Sequence, residues 1–104
     1  MPFKRKARIL FLDGGSGMAA RAAALAGETA DAWLEGQGAS LPVDGRLLDW
    51  ADLVVTLDGE AERRCPPVPR HGQRRHYPAA DEGALRERIA GMVGGLKLLA
   101  RTGD

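Results

Sequence analysis

The segment Asp13-Gly14-Gly15-Ser16-Gly17-Met18 is the first place in this chain where residue types and spacing suit chemistry. It lies between a short apolar run and an alanine-rich periodic stretch, so it reads as a glycine-rich turn from a strand into a helix. Such a turn gathers free backbone N–H groups at the positive end of a helix, the physical basis of an anion site. Gly14, Gly15, Ser16, Gly17 and Met18 are therefore the candidate anion-binding residues. A turn of this kind also forms simply to make a tight corner, and that reading stands beside the functional one. The segment has no Walker lysine and does not fit a spaced dinucleotide fingerprint, which argues against a nucleotide.

Other reactive groups lie further along. Cys65 follows Arg63 and Arg64, which would activate a thiol mildly; an inert, half-buried cysteine is the alternative. Arg63, Arg64, Arg70, His71, Arg74, Arg75 and His76 form a basic cluster interleaved with prolines and Tyr77. It suits an anionic partner, with Arg74 and Arg75 as candidate contacts, or else it is a solvated basic loop. His71 and His76 have no cysteine or carboxylate at ligand spacing, so neither a metal nor another cofactor is expected. Trp33 and Trp50 fall on apolar faces and read as core or rim residues.

The elements that must position these groups follow from periodicity. Ala7 to Leu12 is a buried strand ending in the turn, and Met18 to Leu34 recurs at helical spacing with Gly36 and Gly38 as its stop. Ala39 to Val43 is a short second strand that Pro42 confines to an edge. Asp44 to Trp50 is a helical turn, and Asp52 to Leu57, β-branched and apolar on both faces, is a central strand. Glu60 to Arg64 forms a short helix stopped by Pro66-Pro67-Val68-Pro69, Gln73 to Tyr77 a fourth strand, and Glu82 to Arg101 a final amphipathic helix weakened by Gly91, Gly94 and Gly95. This order predicts an α/β domain with a four-stranded parallel sheet covered by helices.

The totals agree with one domain over residues 1–104. A chain of this size buries roughly 65% of its unfolded surface, enough for one core. Hydrophobic residues make up 44% and charged residues 28%, a globular composition. Fifteen basic against fourteen acidic residues give a net charge of +1, unlike a nucleic-acid-binding domain. The run Ile9 to Leu12 is too short for the core of a signal peptide, no stretch is long enough to span a membrane, and a lone cysteine cannot form an internal disulfide; a cytoplasmic location is expected.

Ile9-Leu10-Phe11-Leu12 with its loop and alanine-rich helix resembles the start of the low-molecular-weight tyrosine phosphatases and thioredoxin-linked arsenate reductases. Trp50 to Leu57, then Glu60 to Pro66 with its Cys-Pro pair, then Arg75-His76-Tyr77, are similar to later segments of the arsenate reductases, in the same order. The stretch from Val43 to Trp50 is shorter than the family's. The fold the resemblance implies has three layers, with the four-stranded parallel sheet in the order 2-1-3-4 and helices on both faces. The resemblance implies a Cys-x5-Arg-Ser loop, whose positions here hold Asp13, Ala19 and Ala20. An aspartate is a weak nucleophile without an activating group, and its charge repels a dianion. Arg21 does not replace the missing arginine, because two residues along a helix turn a side chain about 200°. The two further cysteines that the resemblance implies for an electron relay match Asp58 and Cys65, and one thiol cannot complete a disulfide relay. The implied general acid matches Asp81, which lacks a following proline and also reads as a helix cap.

The leading expectation is accordingly a catalytically inactive relative, retained as a binding or regulatory module with a small anion or protein partner at residues 13–18. An enzyme of changed chemistry is the alternative: Asp13 would act as base or nucleophile, with Asp81 or His76 assisting, and these groups would have to converge. A basic-patch module binding an anionic partner is the third reading, and a homodimer is compatible with all three.

Overall fold

The computed structural model describes residues 7–30, 34–69, 72–79 and 81–102, with the backbone alone for 29–30 and 95–102. The elements are β1 (Ala7–Asp13), α1 (Met18–Ala30), β2 (Leu34–Ser40), α2 (Gly45–Trp50), β3 (Leu53–Thr56), α3 (Gly59–Arg64), β4 (Gln73–His76) and α4 (Glu82–Thr102). All strands run parallel, as the alternation of apolar runs and periodic stretches implies, and in the order β2-β1-β3-β4 expected with the family resemblance. Side chains alternate across the sheet, so β1 feeds both faces. Ile9 and Phe11 join Val55 beneath α1 and α4, which contribute Ala22, Leu25, Leu85 and Ile89. Leu10 and Leu12 join Val54 on the other face, covered by Leu48, Ala51 and Ala61. Ile9 to Leu12 are at most 1% exposed, and each such side chain contributes roughly 1.5–3 kcal/mol by leaving water.

One stretch departs from the sequence reading. Leu34 belongs to β2 and not to α1, and β2 starts five residues before the expected Ala39, with Pro42 beyond its end. The glycines explain the difference. A Cβ on Gly38 would lie 2.3 Å from the carbonyl oxygen of Ala19, so this position is bare because α1 packs directly on the strand. Gly36 and Gly38 thus serve helix–sheet contact and do not end a helix. β2 does take the expected edge position.

Caps fix the short helices. Asp44 accepts from the amide of Arg46 at the start of α2, and Asp58 from that of Ala61 at the start of α3. Arg21 of α1 and Glu82 of α4 form a two-pronged ion pair, both contacts 3.1 Å, tying the two helices on one face. Trp50 is half-buried at the rim with the Arg8 guanidinium 5.9 Å over its ring. The expectations for Trp33, Arg70 and His71 lie outside the described residues. Among the described residues no helix is long and apolar enough to cross a membrane.

Candidate functional site

Asp13 ends β1, and its register partner on β2 is Ser40. That pairing brings the Ser40 hydroxyl to 2.6 Å from Asp13 Oδ1. The same oxygen accepts the amide of Gly15 at 2.8 Å, while Oδ2 accepts the amide of Ala19 at 2.8 Å. Asp13 is 1% exposed. Burial alone would push its carboxyl up, but the Ser40 hydroxyl and the amides of Ala19, Gly15 and Gly17 outweigh it and hold the group below the usual aspartate value. The carboxylate therefore sits inside its own loop, at the positive end of α1, in the manner of a bound anion.

A second carboxylate completes the arrangement. Asp58 accepts the amide of Gly14 at 3.0 and 3.2 Å through its two oxygens, beside its bond to Ala61, and the Ser16 hydroxyl lies 3.4 Å away. Helix α3 is thereby locked against the loop. Gly14 has no room for a side chain, since a Cβ there would meet Glu60 Cβ at 2.4 Å. Gly15 and Gly17 hold φ of +123° and +84°, which glycine adopts freely. The amide of Met18 donates to Ser16 Oγ at 3.3 Å. Of the candidate anion-binding residues, then, Gly14 donates to Asp58, Gly15 and Gly17 to Asp13, and Met18 to Ser16. The outer tip, Gly15 to Gly17, is exposed.

The other candidate groups are engaged elsewhere. Asp81 accepts the amide of Ala84 at 2.8 Å and its carbonyl receives Leu85, which makes it the exposed cap of α4. The ring of His76 lies 2.8 Å from the buried Thr56 hydroxyl through Nδ1 and 3.8 Å from Glu62 through Nε2. Arg21 is taken by Glu82, and the Ala19 side chain is buried in the core. Cys65 is half-buried at the far end of α3 from Asp58, its thiol 3.3 Å from the Pro66 carbonyl. The basic cluster is divided: Arg63 and Arg64 pair with Glu60, whereas Arg74 and Arg75 stand exposed on β4. Among the described residues no group of three histidine, cysteine or acidic side chains could hold a metal.

Of the two further residues central to this geometry, Ser40 is absent from the site read from the sequence, and Asp58 entered that reading only as the position matched to a relay cysteine. Asp58 carried a usable signal, an aspartate directly before the start of a short helix. Ser40 carried none without the register of β2.

No family model matches the chain. In sequence it is similar to arsenate reductase 1 of Bacillus cereus (strain ATCC 10987 / NRS 248), 40% identical over 67 residues, which cover 60% of this chain and 50% of that protein. Arsenate reductase of Bacillus subtilis (strain 168) is 42% identical over 52 residues, 46% of this chain and 37% of that protein. Arsenate reductase of Shouchella clausii (strain KSM-K16) is 48% identical over 46 residues, 40% and 33% of the two chains. The chain spans about half the length, or less, of these curated relatives. Among solved structures it is similar to the lactose-specific IIB component domain of the phosphoenolpyruvate:carbohydrate phosphotransferase system from Streptococcus pneumoniae, with a TM-score of 0.59 over 88% of this chain and 95% of that one. At 13% identity, that likeness shows the fold alone.

Proposed function

We propose that this relative of the arsenate reductases is catalytically inactive and works as a binding or regulatory module, its loop a scaffold filled by its own carboxylates. One observation carries the reading: the Asp13 carboxylate, buried and hydrogen-bonded to Gly15, Ala19 and Ser40, takes up the donors that an oxyanion would need. An incoming anion would have to displace it while lying near a second negative charge on Asp58. At 4 Å each like-charge pair costs roughly 4 kcal/mol in a partly desolvated site. No guanidinium offsets this, because the position matched to the family arginine is Ala19 and Arg21 bonds to Glu82.

The same contacts weigh against Asp13 as a nucleophile or base. Both of its oxygens accept internal hydrogen bonds, its proton affinity is lowered, and Asp81 and His76 are bonded elsewhere. The test is a paired assay of aryl phosphate hydrolysis and arsenate-dependent thiol oxidation, run beside an NMR titration with phosphate, sulfate and arsenate. We expect no turnover and unmoved amides from Gly14 to Met18 at millimolar anion. Turnover that Asp13→Ala abolishes would overturn the proposal.

A further inference from the structure

Strand β4 forms one edge of the sheet and carries polar residues only: Gln73, Arg74 and Arg75 are exposed and His76 is half-buried. The amides of Gln73 and Tyr77 donate to the carbonyls of Asp52 and Thr56. In a parallel ladder alternate residues serve the neighbouring strand, so the N–H and C=O groups of Arg74 and His76 face away from β3. Among the described residues no strand pairs with that outer side. An open row of donors and acceptors is a template for another strand.

One outward acceptor is guarded. Arg75 Nη1 donates to the carbonyl of Arg74 at 3.2 Å, while Nη2 donates to Gln73 Oε1 at 3.2 Å. A neutral strand would have to break this clasp and leave the guanidinium with less. A carboxylate offers it a stronger, two-pronged charged partner and releases the carbonyl for pairing. We infer that β4 receives an extended acidic segment of another protein by strand addition, with carboxylates opposite Arg74 and Arg75. Backbone bonds supply affinity in such a contact and alternating side chains supply specificity. A second copy of this chain is a poor occupant, because β4 against β4 sets arginines opposite one another. The acidic residues of this chain set the register: Glu62 lies beside His76, and Glu87 lines a groove with Tyr77 and Arg88 just past the strand. Incoming carboxylates therefore belong at the Gln73 to Arg75 half. The contact does not depend on whether the loop at Asp13 is catalytic.

The experiment uses the full chain, labelled with nitrogen-15 and titrated with an extended peptide carrying adjacent glutamates between valines, one for each face of the strand, against the same peptide with lysines in place of the glutamates. The expected result is saturable movement and slowed hydrogen exchange at the amides of Arg74 and His76, with smaller changes at Gln73 and Arg75. Arg75→Gln should weaken binding about tenfold with the rest of the spectrum unchanged. No saturable shift at millimolar acidic peptide, equal binding of the basic control, or shifts centred away from β4 would each overturn the inference.

Discussion

Asp13 and Arg75 are both charged residues on parallel strands of one sheet, yet one is turned inward and the other outward. The Asp13 carboxylate is buried and meets two amides and a hydroxyl of its own chain at 2.6–2.8 Å. The Arg75 guanidinium is exposed and meets one carbonyl and one amide oxygen at 3.2 Å, contacts that water or a ligand can replace. Charge placed where every bond is internal becomes structure; charge placed at an edge with loose bonds stays available for recognition.

The largest effect should come from emptying the loop. Asp13→Ala leaves the Ser40 hydroxyl and two amides without their acceptor, and denaturant unfolding should show a loss on the order of 3 kcal/mol. A variant as stable as the parent would mean the loop does not depend on its carboxylate. Gly38→Ala comes next, since its Cβ meets the α1 backbone; about 2 kcal/mol of destabilisation is expected from overpacking in the same measurement. Asp58→Ala should cost about 1 kcal/mol through the lost α3 cap, and it should also shift the Gly14 amide resonance, which a cap with no link to the loop would not do. Arg75→Gln should leave stability within about 0.5 kcal/mol of the parent, the mark of a side chain outside the fold's internal bonding.

Acid separates the two regions in another way. Asp13 has a carboxyl pKa lowered from 3.8 in the folded state, so the folded chain binds its proton less readily than the unfolded chain does. Its stabilisation is complete above the unfolded value and drains away as the pH falls through the folded one. Unfolding followed from neutral pH to below about pH 4 should therefore show a steep loss that Asp13→Asn flattens. Arg75→Gln should leave that slope as it is in the parent, because the contacts it removes lie at the exposed edge.

Most of the fold was legible because the apolar runs and periodic stretches are clean. β1, β3 and α4 were readable from apolar patterns and the parallel sheet from the alternation of elements, while the strand order rested partly on the family resemblance. β2 was not, since Gly36 and Gly38 look like helix stops until a helix is seen packed on them. The candidate site was legible by position more than by role. The loop after β1 could be found and its missing cysteine and arginine counted, but the partners of Asp13 come from β2 and from α3. Ser40 becomes visible only through the Asp13–Ser40 register, and Asp58 reaches the loop from 44 residues away in sequence. Asp81 was the easier case, because a capping aspartate bonds within its own helix turn.

The fit of Asp13 also bears on the evolutionary routes open to this chain. A neutral thiol in place of Asp13 would strip the Ser40 hydroxyl and the Gly15 and Ala19 amides of a charged acceptor, and an arginine in place of Ala19 would force a long side chain into a position 1% exposed. Each single substitution is expected to give a less stable protein. The interlocked loop thus acts as a ratchet, resisting single substitutions at the two positions whose side chains it encloses.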